Sequence, residues 1–208
     1  VTCVDVEWGR AVEPAAVAAV LDANPDIRAI LVQASETSTT VLHPVAELGK
    51  LTRERECLLI VDGITSVGVV DLPMDTVGID VLVSGSQKGL MLPPGLSFNA
   101  VSEKALVASK AARLPRAYWR WDEMLTMNRQ GYFPSTPATN LLYGLHEALA
   151  MLREEGLPAV FARHARHAEA TRRAVRGWGL EVLCRNADEH SNALTAVMMP
   201  DGHDADAF

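Results

Sequence analysis

Asp62 closes an apolar run, residues 57–62, and Lys88 follows 26 residues later in the small polar stretch 84–89. If the runs preceding both residues are strands of one parallel sheet, both side chains reach the same crevice, because ligands in such sheets bind beyond the carboxyl ends of the strands. A carboxylate and an amine facing each other, among hydroxyls and glycines, could grip both ends of an aromatic aldehyde. Pyridoxal phosphate is the cofactor of that description. Its aldehyde needs a lysine amine that has lost its proton, which a partly buried site favours. Its pyridine nitrogen needs an acid beneath it to stay protonated, so that the ring can accept electrons. Its phosphate needs hydroxyls and closely approaching backbone N–H groups, which residues 84–89 offer. Spacing alone has a plainer reading, a strand-end aspartate capping a turn and a lysine on the surface, and does not choose between the two.

The elements that must position these residues can be read from the pattern. Pro14 starts a helix with Val17, Ala18, Val20 and Leu21 on one side, and Asn24-Pro25 stops it. Residues 29–33, 57–62, 81–83 and 96–101 read as strands; 44–55 and 102–112 read as helices. Strands that are continuously apolar and alternate with helices predict an α/β fold with a mostly parallel central sheet covered on both faces. The stretches that follow the strands, 35–40, 62–66 and 84–89, are all rich in small polar residues. After Asn128 the texture changes. Two long helices, 140–155 and 158–178, are joined at Gly156, and short strands follow at 180–184 and 193–198. This divides the chain into a large domain, residues 1–176, and the start of a smaller α+β domain, 177–208. Val1 falls inside an alternating stretch and Asp204-Ala205-Asp206-Ala207-Phe208 reads as a helix start, so the expectation is a fragment.

Four segments closely resemble the class V aminotransferases of the serine–glyoxylate and alanine–glyoxylate group. Ser84-Gly85-Ser86-Gln87-Lys88-Gly89-Leu90-Met91-Leu92-Pro93-Pro94-Gly95-Leu96 resembles the family's lysine segment. Leu59-Ile60-Val61-Asp62-Gly63-Ile64-Thr65-Ser66-Val67-Gly68 resembles its aspartate strand and turn. Glu36-Thr37-Ser38-Thr39-Thr40-Val41 resembles its Glu-Thr-Ser-Thr-Gly-Val segment. Thr136-Pro137-Ala138-Thr139-Asn140-Leu141-Leu142-Tyr143-Gly144-Leu145 resembles the start of its long helix. They come in the family's order and span residues 36–145.

The resemblance implies the pyridoxal-phosphate fold type I and a transamination from serine or alanine to glyoxylate. It makes Lys88 the lysine that carries the cofactor and shuttles the proton. Asp62 pairs with the pyridine nitrogen, Ile64 packs on the ring, Ser38 bonds near the ring substituents, and Gln87 contacts the phosphate. Thr136 matches the threonine given to the neighbouring subunit's phosphate, which implies a homodimer with shared active sites. Two departures stand out: Thr40 replaces the usual glycine, and Phe133 replaces a tyrosine frequent in alanine-type members. The family's glycine-rich phosphate loop falls before Val1 and its carboxylate-binding arginine beyond Phe208.

Composition bounds the alternatives. A net charge of −7 argues against a nucleic-acid surface. No apolar run spans a membrane and no leader pattern opens the sequence, so the cytoplasm is the expected compartment. Cys3, Cys57 and Cys184 are odd in number and far apart, which disfavours a disulfide scaffold or zinc site. The pair His164 and His167 lacks a third ligand and reads as a solvated helix face. Tyr118, Trp119, Arg120 and Trp121 could contact substrate or a second subunit, or pack under a loop. The rival functional readings are a lyase or desulfurase on the same fold, which needs a loop cysteine near the site, and a non-catalytic interaction fragment.

Overall fold

The computed structural model describes residues 1–207. Its centre is a four-stranded sheet in the order β1-β2-β3-β4: Ala29–Gln33, Leu58–Asp62, Val81–Gly85 and Ser97–Val101. β1, β2 and β3 run parallel and β4 is antiparallel to β3. Seven helices accompany it among the described residues: α1 Pro14–Ala23, α2 Val45–Arg53, α3 Met74–Val77, α4 Glu103–Lys110, α5 Trp121–Arg129, α6 Thr139–Glu155 and α7 Leu157–Gly177. β5 (Glu181–Val182) and β6 (Val197–Met198) form a separate antiparallel pair.

Local chemistry accounts for most element ends. Pro14 begins α1 because the first helical residue needs no N–H partner. The Ser102 hydroxyl caps α4 by accepting from the Ala105 N–H at 3.1 Å. α5 buries none of its residues and has no counterpart among the elements read from the sequence. The segment taken as a strand at 193–198 pairs only through Val197 and Met198. Ala205–Ala207 form a single 3₁₀ turn, and Phe208 lies outside the described residues.

The main core lies on one face of the sheet. Leu59 and Val61 are wholly buried against Val17 and Leu21 of α1 and Val45 and Leu48 of α2. A second cluster joins Leu90 and Leu92, from the loop after β3, to Ala148 and Leu152 of α6 and Val160 of α7. The opposite face is closed in part. Val81, in register with Ile60, is buried, whereas Leu31, also in register with Ile60, is 75% exposed. Within β2, Leu59 and Val61 are buried while Leu58, Ile60 and Asp62, which point the other way, are half-buried.

Buried polar groups tie the strands to one another. Asp80, at the entry to β3, accepts from the Leu59 N–H at 3.0 Å, the Ser102 hydroxyl at 2.7 Å and the Lys104 ammonium at 3.3 Å. A carboxylate this buried is tolerated because several donors replace its lost water.

The turn after β2 packs backbone against backbone on the turn after β3. A methyl group on Gly89 would lie 2.2 Å from the Val67 carbonyl oxygen, and one on Gly68, whose φ is +81°, would lie 2.9 Å from the Gly89 carbonyl oxygen. Neither obstacle is a flexible side chain that could swing away. Gly89→Ala is therefore expected to destabilise the fold by roughly 1–3 kcal/mol, the range for overpacking a well-packed site. Chemical denaturation of the variant checks this. Wild-type stability would show that the two turns can part freely.

Candidate functional site

The carboxyl ends of β1, β2 and β3 open onto three turns, and hydrogen bonds hold these turns side by side. The Ala34 N–H donates to the Asp62 carbonyl at 2.8 Å, and the Gly63 N–H donates to the Val83 carbonyl at 2.8 Å. The Thr65 hydroxyl donates to the Ser35 carbonyl at 2.8 Å. In-register pairing places Gln33, Asp62 and Val83 in one row on the face opposite the main core.

Asp62 is half-buried and its Oδ1 accepts from the Ile64 N–H at 2.9 Å, which fixes the carboxylate's orientation. No cation pairs with it among the described residues. Lys88 stands in the adjoining turn, stabilised where the Met91 N–H donates to the Lys88 carbonyl at 2.9 Å. Its amine likewise has no carboxylate partner among the described residues. Ser86 closes this loop at its base: its hydroxyl donates to the Pro93 carbonyl at 2.7 Å and accepts from the Leu96 N–H at 3.1 Å. Gln87 and Lys88 are left exposed at the tip, so the partial burial expected for the lysine is not provided by this loop. Beneath the turns, the hydroxyls of Ser66 and Ser84 are buried without a hydrogen-bond partner.

The third turn carries Ser38. The Glu36 carboxylate accepts from the Thr39 N–H at 2.6 Å, the Thr39 hydroxyl at 2.8 Å and the Ser38 hydroxyl at 3.1 Å. Partial burial pushes the Glu36 carboxyl up, but these hydrogen bonds to its charged form outweigh that and hold it below the usual carboxylate range. Thr40 closes the turn at φ +58° and is buried. The family's glycine at this place is explained by that angle, which costs a β-branched residue about 1–2 kcal/mol. Sequence reasoning flagged Thr40 as a departure and missed what it touches. Its carbonyl accepts from the Ser191 N–H at 3.0 Å and its hydroxyl from the Ala196 N–H at 3.3 Å.

Thr136 lies in an exposed loop before α6, with Phe133 exposed three residues earlier. The structure joins Asp62, Ile64, Ser38, Gln87 and Lys88 on neighbouring turns; Thr136 belongs to a separate exposed segment. No metal-binding group occurs among the described residues, including at His164 and His167. A concavity lined by Asp22, Arg28, Arg55 and Cys57 among others is at the amino end of β1 and β2, away from these turns. Cys57 and Cys184 are buried and Cys3 is exposed near the start of the chain, so none stands on the three turns. No helix among the described residues is long and apolar enough to cross a membrane.

The α/β fold is the pyridoxal-phosphate fold type I, that of the solved aminotransferases it superposes on. The chain belongs to the class-V aminotransferase family, whose sequence model matches residues 1–208. It is 43% identical over 210 residues to the serine–glyoxylate aminotransferase of Hyphomicrobium methylovorum, covering 98% of this chain and 52% of that protein. The crystal structure of pyridoxamine–pyruvate aminotransferase from Mesorhizobium loti superposes with a TM-score of 0.93 at 35% identity, over 98% of this chain and 53% of that one. Alanine–glyoxylate aminotransferase from Nostoc sp. matches with a TM-score of 0.89 at 30% identity, over 98% of this chain and 54% of that one. The chain spans about half the length of the relatives it matches. The family implies pyridoxal phosphate as cofactor. An oriented carboxylate without a cation, an amine without a carboxylate, and glycines that let two turns approach closely suit that molecule.

His43, just behind the Ser38 turn, makes the site region sensitive to acid. Its Nδ1 accepts from the Val12 N–H at 3.1 Å, and burial pushes its pKa below the ordinary 6.5 against the pull of Glu36 and Glu189. The unfolded chain therefore takes up this proton more readily than the folded one. The stabilising contribution is full above about pH 6.5 and is lost as pH falls through the folded value. Glu36, also shifted down, adds a loss in the same direction at lower pH. Melting temperatures taken between pH 7.5 and 5.5 are expected to fall, and His43→Asn, which retains an acceptor, should flatten the slope. An unchanged slope in the variant would refute the assignment.

Proposed function

We propose that this chain is the lysine-bearing part of an aminotransferase that moves the amino group of a small amino acid, serine or alanine, onto glyoxylate, giving glycine and a 2-oxo acid. The observation that carries the reading is the locked pair of turns presenting Asp62 and Lys88, both without a counter-charge. The names of the relatives support glyoxylate or another small 2-oxo acid as acceptor, and they differ in the donor.

Bound pyridoxal phosphate supplies the electron sink that lets an amino acid's Cα–H bond break. Lys88 Nζ would hold the cofactor by its aldehyde end, and its freed amine would move the substrate's Cα proton, as general base and then acid. The Asp62 carboxylate keeps a proton on the pyridine nitrogen, and the Ile64 N–H steadies that carboxylate while the Ile64 side chain packs on the ring. Ser38 bonds beside the ring substituents, and Gln87 meets the phosphate. Thr136 reaches the phosphate of a second subunit, making the enzyme a homodimer with shared sites. In this reading, residues 177–208 begin a smaller domain that completes the substrate pocket. The three free cysteines suit a reducing compartment, the cytoplasm.

Full-length protein incubated with pyridoxal phosphate is expected to absorb in the visible, and borohydride followed by peptide mapping should find the reduced cofactor on Lys88. Lys88→Ala should lose transamination by more than about 10³-fold, the scale of a nucleophile and acid–base group combined. Retained turnover in that variant would remove Lys88 from the chemistry. Thr136→Val is expected to weaken cofactor retention about tenfold, one lost hydrogen bond to an anion, and light scattering should find two chains per particle. A monomer that turns over at full rate would refute the shared site.

A further inference from the structure

The Ser38 turn is fastened to a part of the chain more than 150 residues away. The hydroxyls of Ser35 and Ser191 share a buried hydrogen bond of 2.6 Å. The Ser191 hydroxyl also accepts from the Ala193 N–H at 3.1 Å, and its carbonyl accepts from the buried Arg172 guanidinium at 3.1 Å. The Leu42 N–H donates to the Glu189 carbonyl at 2.7 Å, and Val41 and His190 form an isolated bridge. At the centre stands Thr40, at positive φ, holding Ser191 through its carbonyl and Ala196 through its hydroxyl. A glycine could take this backbone angle without strain but has no hydroxyl to offer Ala196.

We infer that Thr40 is a positioning residue. Its strained backbone and its hydroxyl clasp residues 191–196 onto the turn that carries Ser38, and so set where Ser38 stands beside the cofactor ring. The second half of this inference rests on the aminotransferase reading; the clasp itself does not. Strain persists only where surrounding contacts over-determine the conformation. Here those contacts are the Thr40 hydroxyl, its carbonyl and the buried Ser35–Ser191 pair. The turn and the C-terminal segment therefore move as one piece: releasing the second loosens the first.

Three variants of full-length protein separate the roles. Thr40→Val keeps shape and branching and removes the hydroxyl. Thr40→Ser restores the hydroxyl. Thr40→Gly relieves the backbone and removes the hydroxyl. Hydrogen exchange is expected to quicken about tenfold in Thr40→Val, the conversion of one lost hydrogen bond, at Ala196 and also across the turn at Thr39 and Thr40. Thr40→Ser should bring both sets back to wild type. In Thr40→Gly the same amides should loosen while the melting temperature holds, since relieved strain offsets the lost bond. The visible circular dichroism of bound pyridoxal phosphate should change in Thr40→Val and return in Thr40→Ser. Faster exchange confined to Ala196, with Thr39 and Thr40 unaffected, overturns the clasp. An exchange response with unaltered dichroism overturns the link to Ser38. Wild-type protein that binds no cofactor overturns that link together with the aminotransferase reading, and leaves exchange to decide the clasp alone.

Discussion

Gly68 and Gly89 bring two main chains into contact where side chains would hold them apart. Much else in the site depends on this closeness. The turn after β2 carries Asp62 and the turn after β3 carries Lys88, and each is long enough to wander if left alone. Contact between main chains leaves little freedom, because peptide groups are rigid and cannot rotate away as a side chain can. The strands beneath add to the constraint: Asp62 and Val83 are in register, and the Gly63 N–H bonds to the Val83 carbonyl. A carboxylate and an amine are thereby presented on adjoining turns without a salt bridge to any partner among the described residues.

The Ser38 turn is constrained by different means. Its own hydrogen bonds converge on the Glu36 carboxylate, so the turn holds its shape locally. Its attachment to the rest of the chain runs through a buried group of hydroxyls and the Arg172 guanidinium, which is 7% exposed. Buried polar groups stabilise only when their partners are all in place, and a partial set costs more than an apolar filling. Ser191 pairs with both the Ser35 hydroxyl and the Thr40 carbonyl, Ala196 pairs with the Thr40 hydroxyl, and the positive φ at Thr40 is sustained by those bonds. The contrast with Ser66 and Ser84 is instructive, since both are buried beneath the turns and neither finds a partner.

Charge and apolar surface are distributed unevenly around the sheet. One face is sealed by α1 and α2; the other shows Leu31 and the row of Gln33, Asp62 and Val83. Tyr118, Trp119, Tyr132, Phe133 and Tyr143 are also exposed, all within 26 residues of sequence around α5 and the start of α6. Aromatic side chains in such numbers at a surface are usual for contact regions, and Thr136 lies among them.

The order of the four central strands, the ends of α1 and α4, the long pair α6 and α7, and the segments holding Asp62, Lys88 and Ser38 were legible in the sequence, while α3 and α5 were not. Apolar period, proline, and serine at a helix start act over a few residues, so their consequences are local. The family resemblance, carried by short motifs of glycine and small polar residues, is local in the same sense. Strand direction was not legible at β4: the eleven residues between Gly85 and Ser97 contain no helix, and only the finished loop, tied by Ser86, shows that the chain returns antiparallel. Nor could Thr40 reveal its partners. Ser191 and Ala196 meet it through folding of the whole chain, and a residue's backbone angle follows from what surrounds it in space. The residue types that can do the chemistry were thus determined by the sequence. Which of them stand together, which remain without a counter-charge, and which face of the sheet is sealed were decided by tertiary structure, because burial and hydrogen-bond pairing depend on neighbours distant along the chain.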